Sequence, residues 1–181
     1  MNEELEVLKE VARRLDATGI SYMITGSIAG NFYAVPRMTR DIDIVVELSE
    51  RDTEKFILAF EMDHYLEPET VRAAVKSKRM FNLIHDQYII KVDFVVRKDT
   101  PYRLKEFSRK KKISVDGQDV YVVAPEDLIL SKLEWAKDSK SEVQLKDVKN
   151  LLQSVKGLDR RYLARWAKQL GVDSLYRKAT Q

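Results

Sequence analysis

The sequence contains no cysteine, which excludes disulfides, thiolate metal sites and cysteine nucleophiles together. Histidine is nearly as scarce. The two present, His64 and His85, stand isolated and read as ordinary surface or loop residues. No apolar run approaches the length of a membrane span, and the opening MNEELEVLKEVARRL is acidic and amphipathic, unlike a signal peptide. A cytoplasmic protein with no membrane partner is the expectation. An excess of one charge is also missing: 32 Lys and Arg stand against 29 Asp and Glu, a net charge of +3. Affinity for a polyanion therefore has to come from local patches. There is no internal repeat and no low-complexity segment.

What is present is a globular composition. Of 181 residues 44% are hydrophobic and 34% charged, enough for one substantial domain or a small domain with an appended helical lobe. Leu5, Leu8, Ala12 and Leu15 recur at helical spacing before Gly19, so the chain opens with an amphipathic helix. Ile20 to Thr25 is β-prone and broken by Gly26-Ser27, and residues 28–34 allow one or two helical turns before Pro36. Asp41 to Glu47 reads as a strand. Ser49 offers an N-cap for a helix through Phe60, with Asp52 as an acidic capping-box partner. A helix over 69–79 follows, then two hairpins, 80–96 turning around His85-Asp86 and 110–123 turning at Asp116-Gly117.

Beyond Pro125 the pattern turns wholly helical. Leu128, Ile129, Leu133 and Ala136 form one apolar stripe, and Leu145, Val148, Leu151 and Leu152 form another. The expected class is α+β: a sheet-bearing lobe over residues 1–124 and a lobe of three or four helices over 125–181.

Three features carry chemistry. Gly26-Ser27 lies at a strand end before a short helix, where glycine permits a sharp turn and the serine hydroxyl and helix amides can hold phosphate oxygens. In Asp41-Ile42-Asp43-Ile44, residues two apart on a strand project to one side, which presents two carboxylates together. A solvent-facing strand is the alternative. Against it, the same register continues as Val45, and carboxylates at the margin of a buried face repel one another unless a cation compensates. Lys91 to Val96 repeats the grammar, with Asp93 inside an otherwise apolar strand. If the two strands are neighbours, Asp93 joins Asp41 and Asp43 as a third ligand. Three carboxylates suit two hard divalent cations, and hence phosphoryl transfer.

The stretch TGSIAGNFYAVPRMTRDIDIVV resembles the Gly-Ser … Asp-x-Asp motif of the DNA polymerase β-like nucleotidyltransferase superfamily. Its Pro-Arg-x-Thr-Arg run is similar to that of small prokaryotic members related to the abortive-infection (AbiEii-type) toxin–antitoxin nucleotidyltransferases. Thirteen residues separate Ser27 from Asp41, at the long end of the pattern, and Asp93 matches the family's third carboxylate. More weakly, residues 124–132 resemble a Pro-Glu-x-Leu…Lys segment, and Lys146-Asp147 a Lys-Asp element.

The resemblance implies a nucleotidyltransferase fold with a mixed sheet flanked by helices. It also implies Mg²⁺ or Mn²⁺ on Asp41, Asp43 and Asp93, and an NTP held by Gly26, Ser27, Arg40 and Lys132. Asp147 would orient Lys132 or the acceptor. The arginine-rich approach to Lys146 found in relatives is replaced here by Ser141-Glu142-Val143-Gln144-Leu145. Arg37 and Arg40 precede the acidic strand, and two further basic clusters stand at Lys76, Lys78 and Arg79 and at 109–112. Such patches suit a tRNA-like acceptor. A protein or small-molecule acceptor, a cognate antitoxin or other partner protein, and a silent nucleotide- or RNA-binding module are the alternatives.

Overall fold

The computed structural model describes residues 3–181. Helix α1 (Glu3–Thr18) carries Glu3, Glu4 and Glu6 in its first turn, where carboxylates complement the helix dipole. Its stripe of Val7, Leu8, Val11, Ala12 and Leu15 is buried, and Gly19, at φ +70°, ends it. Then come β1 (Tyr22–Thr25), α2 (Gly26–Tyr33), β2 (Ile42–Val46), α3 (Thr53–Phe60), β3 (His64–Tyr65) and α4 (Pro68–Ser77). They are followed by β4 (Met80–His85), β5 (Ile90–Val96), α5 (Pro101–Ser108), β6 (Lys111–Val115) and β7 (Gln118–Val122). Four helices close the chain: α6 (Pro125–Ser139), α7 (Glu142–Ser154), α8 (Arg160–Gln169) and α9 (Asp173–Thr180).

The strands form one mixed sheet in the order β3-β4-β5-β2-β1-β7-β6. Both expected hairpins are present, as the antiparallel pairs β4/β5 and β6/β7. At the centre β2 runs antiparallel to β1 and parallel to β5. Alternation sets the burial of β2: Ile42, Ile44 and Val46 are fully buried, while Asp43 and Val45 are half-buried on the other face. This is the α+β class expected, with all strands before residue 123 and only helices after it.

Helix α6 joins the sheet-bearing part to the C-terminal helices through a buried polar network. Arg109 donates to Asp127 (2.8 Å) and Glu126 (2.9 Å), and the Tyr162 hydroxyl donates to the other Asp127 oxygen at 2.5 Å. Asp127 is fully buried, so these partners compensate its desolvation.

Two sequence expectations fail. Ser49 does not cap α3, which starts at Thr53 after Asp52; the Ser49 hydroxyl instead donates to the Asp52 carboxylate at 2.6 Å, inside the preceding turn. The histidines are not surface residues. His64 and His85 are 2% and 4% exposed and face each other across β3 and β4 in register. Their neighbours in sequence give no warning, because β3 is only two residues long.

Candidate nucleotidyl-transfer site

The parallel pairing of β2 with β5 sets Asp43 directly beside Asp93, and the antiparallel pairing with β1 sets Thr25 on its other side. The end of β1 thus meets the starts of β2 and β5, and Gly26 turns off at that corner. A Cβ on Gly26 would lie 1.9 Å from Asp43 Oδ2, and the residue's φ of +65° is one that L side chains rarely adopt. Only glycine lets the turn lie flush against this carboxylate.

Burial pushes the Asp43 carboxyl above its ordinary pKa, and the negative charges of Asp93 and Asp41 push it further, against relief from Lys132 and Lys91. Asp93 is buried. Lys91 Nζ holds its Oδ2 at 2.7 Å, while Oδ1 has no hydrogen-bond partner. Asp41 precedes β2 and is exposed. The three carboxylates therefore face one region, but their oxygens do not all lie within 4.8 Å. Among the described residues only Glu10, His64 and His85 bring three ligand atoms that close.

A second group of charges sits against α2. The buried Lys132 on α6 donates to Asp147 (2.8 Å) and to Gln144 (3.1 Å), both on α7. Arg37 approaches from the loop after α2, donating to Asp147 Oδ1 at 3.1 Å and to the Ser27 hydroxyl at 2.5 Å. The loop is fixed by Asn31, which exchanges two hydrogen bonds with the Arg37 backbone (2.9 and 3.0 Å). Burial works to raise the Asp147 carboxyl, but bonds from Arg37 and Lys132 prevail and lower it. The recess that these residues line offers only about 10 Å³, room for one water. A phosphate does not fit a recess of this size.

Of the residues singled out in the sequence, the structure brings Gly26, Asp43 and Asp93 together, and links Ser27, Arg37, Lys132 and Asp147 by hydrogen bonds. Arg40 is exposed and makes no ion pair among the described residues. Sequence reading missed Lys91, although its place two residues before Asp93 puts it on the same strand face. It also missed Gln144, which receives Lys132 at 3.1 Å. Part of the basic patchwork is neutralised: Lys78 pairs with Asp99, Arg109 with Glu126 and Asp127, and Lys112 with Asp119.

A mixed sheet with a glycine turn flush against paired strand aspartates defines a fold of the nucleotidyltransferase class. The chain belongs to the family described as "Nucleotidyl transferase of unknown function (DUF2204)", which matches residues 4–174. No curated protein matches it. Among solved structures it is similar to an antigenic nucleotidyltransferase-like protein from Paracoccidioides brasiliensis, at 16% identity and a TM-score of 0.59, over 98% of this chain and 92% of that one. It is also similar to the lincosamide antibiotic adenylyltransferase LnuA with lincomycin bound: 14% identity, TM-score 0.58, 86% of this chain and 98% of that one. A candidate nucleotidyltransferase of Thermotoga maritima matches at 19% identity and TM-score 0.55, over 80% of this chain and 91% of that one. At such identities these likenesses concern the fold. No described helix is long and apolar enough to cross a membrane.

Proposed function

We propose that this chain transfers a nucleoside monophosphate from an NTP to an acceptor hydroxyl, with Asp41, Asp43 and Asp93 holding Mg²⁺ or Mn²⁺. The observation that carries the reading is the crowding at the central strands. Asp43 is in register with Asp93, packed on Gly26, and Asp93 keeps one buried oxygen without a partner. A buried acceptor atom left unpaired beside a second carboxylate fits a divalent cation, which Lys91 replaces in part by pairing with the other oxygen. When bound, the metal would neutralise triphosphate charge and lower the pKa of the attacking hydroxyl.

The chain's own groups do the remaining work in this reading. Ser27 and the first amides of α2 receive phosphate oxygens, and Gly26 lets them approach. Lys132, steered by Asp147 and Gln144, stabilises negative charge on the triphosphate as pyrophosphate leaves, and Arg40 adds to that field. Arg37 leaves Ser27 as the nucleotide arrives and turns its guanidinium to phosphate or acceptor. The acceptor oxygen bonds to the α-phosphorus while the bond to pyrophosphate breaks. The hydroxyl proton goes to Asp93 through Oδ2, the oxygen on the Lys91 side, while Oδ1 serves the metal. The division of labour is between a sheet-bearing lobe over 1–124 that holds metal and nucleotide and a helical lobe over 125–181 that supplies Lys132 and Asp147.

The acceptor is the finer part of the proposal. The ion pairs at Lys78, Arg109 and Lys112 remove part of the positive surface that would grip tRNA or another nucleic acid. They support a small-molecule or protein hydroxyl, and LnuA, with lincomycin bound, is an example of this fold accommodating a small molecule. A silent nucleotide-binding module of a toxin–antitoxin pair is the second reading, and the crowded carboxylates weigh against it.

The test is incubation with α-labelled NTPs, Mg²⁺ or Mn²⁺, and three acceptor pools: total tRNA, cell protein, and hydroxyl-rich small molecules. Wild type is run beside an Asp43→Asn/Asp93→Asn variant. Label transfer by wild type alone is expected. Metal-dependent NTP binding without any transfer would favour the silent module, and equal labelling by the variant would sink the proposal.

A further inference from the structure

The two histidines that the nucleotidyl-transfer reading leaves unused meet at one end of the sheet order, away from its centre. β3 and β4 are separated from β2 by β5. His64 and His85 are cross-strand partners with ring centroids 4.8 Å apart, and Glu10 reaches them from α1. One ligand atom from each of the three lies within 4.8 Å of the others.

The hydrogen bonds around the trio prepare it for a cation. His64 Nδ1 donates to Asp63 Oδ1 at 2.8 Å, which leaves the lone pair on Nε2. That Nε2 is buried with no hydrogen-bond partner, and the His64 side chain is wholly inaccessible. Arg14 binds one oxygen of Glu10 and both oxygens of Asp63, so it holds the two carboxylates in place and leaves Glu10 Oε2 free to face His85 Nε2, 3.5 Å away. A carboxylate behind one imidazole and a guanidinium behind two carboxylates form an outer shell of the kind that orients metal ligands. The remaining polar contact is long: the Tyr88 amide reaches His85 Nδ1 at 3.4 Å. A His85 tautomer with its lone pair on Nε2 forfeits little more than that contact.

We propose that Glu10, His64 and His85 form a second, unassigned cation site, specific for an imidazole-preferring divalent ion such as Zn²⁺. Two imidazoles and one carboxylate are a known zinc set, and three protein ligands leave the fourth position for water. Mg²⁺, which demands oxygen ligands, is excluded by the two nitrogens. The ion enters beside the partly exposed Glu10, and it fastens α1 to the β3–β4 edge of the sheet. This site does not depend on the nucleotidyl-transfer reading, because it shares no residue with Asp41, Asp43 or Asp93.

The experiment is titration of metal-stripped full-length protein with Co²⁺ as a spectroscopic probe and with Zn²⁺, following visible absorption, bound metal after dialysis, and Tm. Asp43→Asn/Asp93→Asn is expected to bind one ion with the visible bands of a four-coordinate site and to gain several degrees in Tm, and wild type to show the same bands and gain. His64→Gln should lose the bands. Glu10→Gln, on a partly exposed side chain, should fold normally and bind at least tenfold more weakly. Binding that survives Glu10→Gln unchanged, binding lost in the aspartate variant instead, or no retained ion in the wild type would overturn the proposal.

Discussion

Gly26 and Asp43 share one contact: a Cβ on the glycine would stand 1.9 Å from the carboxylate oxygen. Gly26→Ala therefore has to displace the central aspartate as well as adopt a left-handed backbone. The expected outcome is a loss of about 1–3 kcal/mol in urea unfolding, together with a fall in transfer activity on the order of 100-fold. Gly19 provides the control, since it has φ +70° and a Cβ added there would meet nothing within 4 Å. Gly19→Ala should show the backbone penalty, about 1 kcal/mol, with activity intact.

Lys132 is buried and its ammonium is held by Asp147 and Gln144. Lys132→Met keeps the unbranched shape, one atom shorter, and leaves Asp147 with Arg37 as its partner. Transfer should fall by about 100-fold at unchanged circular dichroism, the loss expected for one charged group aimed at developing negative charge. An unchanged rate would remove Lys132 from the site.

Arg109 belongs to the basic run at 109–112, yet its guanidinium is consumed by Asp127 and Glu126. Arg109→Met strands two buried carboxylates and should lower stability by about 3–5 kcal/mol. Asp127→Asn in the same chain should recover part of that loss. The salt dependence of any nucleic-acid binding should stay as it was, since this residue offers no free charge.

Alkaline pH should unfold the protein in a characteristic way. Burial raises the phenols of Tyr22, Tyr33, Tyr102 and Tyr162 above their usual value, with Tyr33 pushed up to about 12. A group with a raised folded pKa gives its full stability below the unfolded value and loses it as pH rises toward the folded one. Stability should hold up to about pH 10 and decline above it. Of the eight tyrosines, these four should ionise, by absorbance at 295 nm, only as the chain opens.

The central part of the molecule is the most readable from sequence, because period-two alternation fixes which way each residue of a strand points. Asp43 and Asp93 stand out as charges in apolar registers, and that reading needs only the neighbour relation of β2 and β5, which the sheet supplies. The α7 contacts are less readable: that Gln144 receives Lys132 depends on how two helices pack, and no local pattern encodes it. The histidines mislead for the same reason. His64 lies in a two-residue strand and packs on Phe60 of α3 and His85 of β4, contacts that no local pattern encodes. Ser49 shows a different failure, since a short polar side chain next to a turn can serve the turn as readily as the helix after it.

The parallel pairing of β2 with β5 also says where this architecture is free to change. The chain leaves β2 after Val46, builds α3, α4 and the outer strands β3 and β4, and returns as β5 alongside the strand it left. Everything between Glu47 and Ile89 is thus an excursion whose two ends are pinned and whose length is not. Lengthening or replacing it leaves Asp43 and Asp93 side by side as long as both strands keep their register. New residues spliced there would alter the sheet's outer margin and spare its centre.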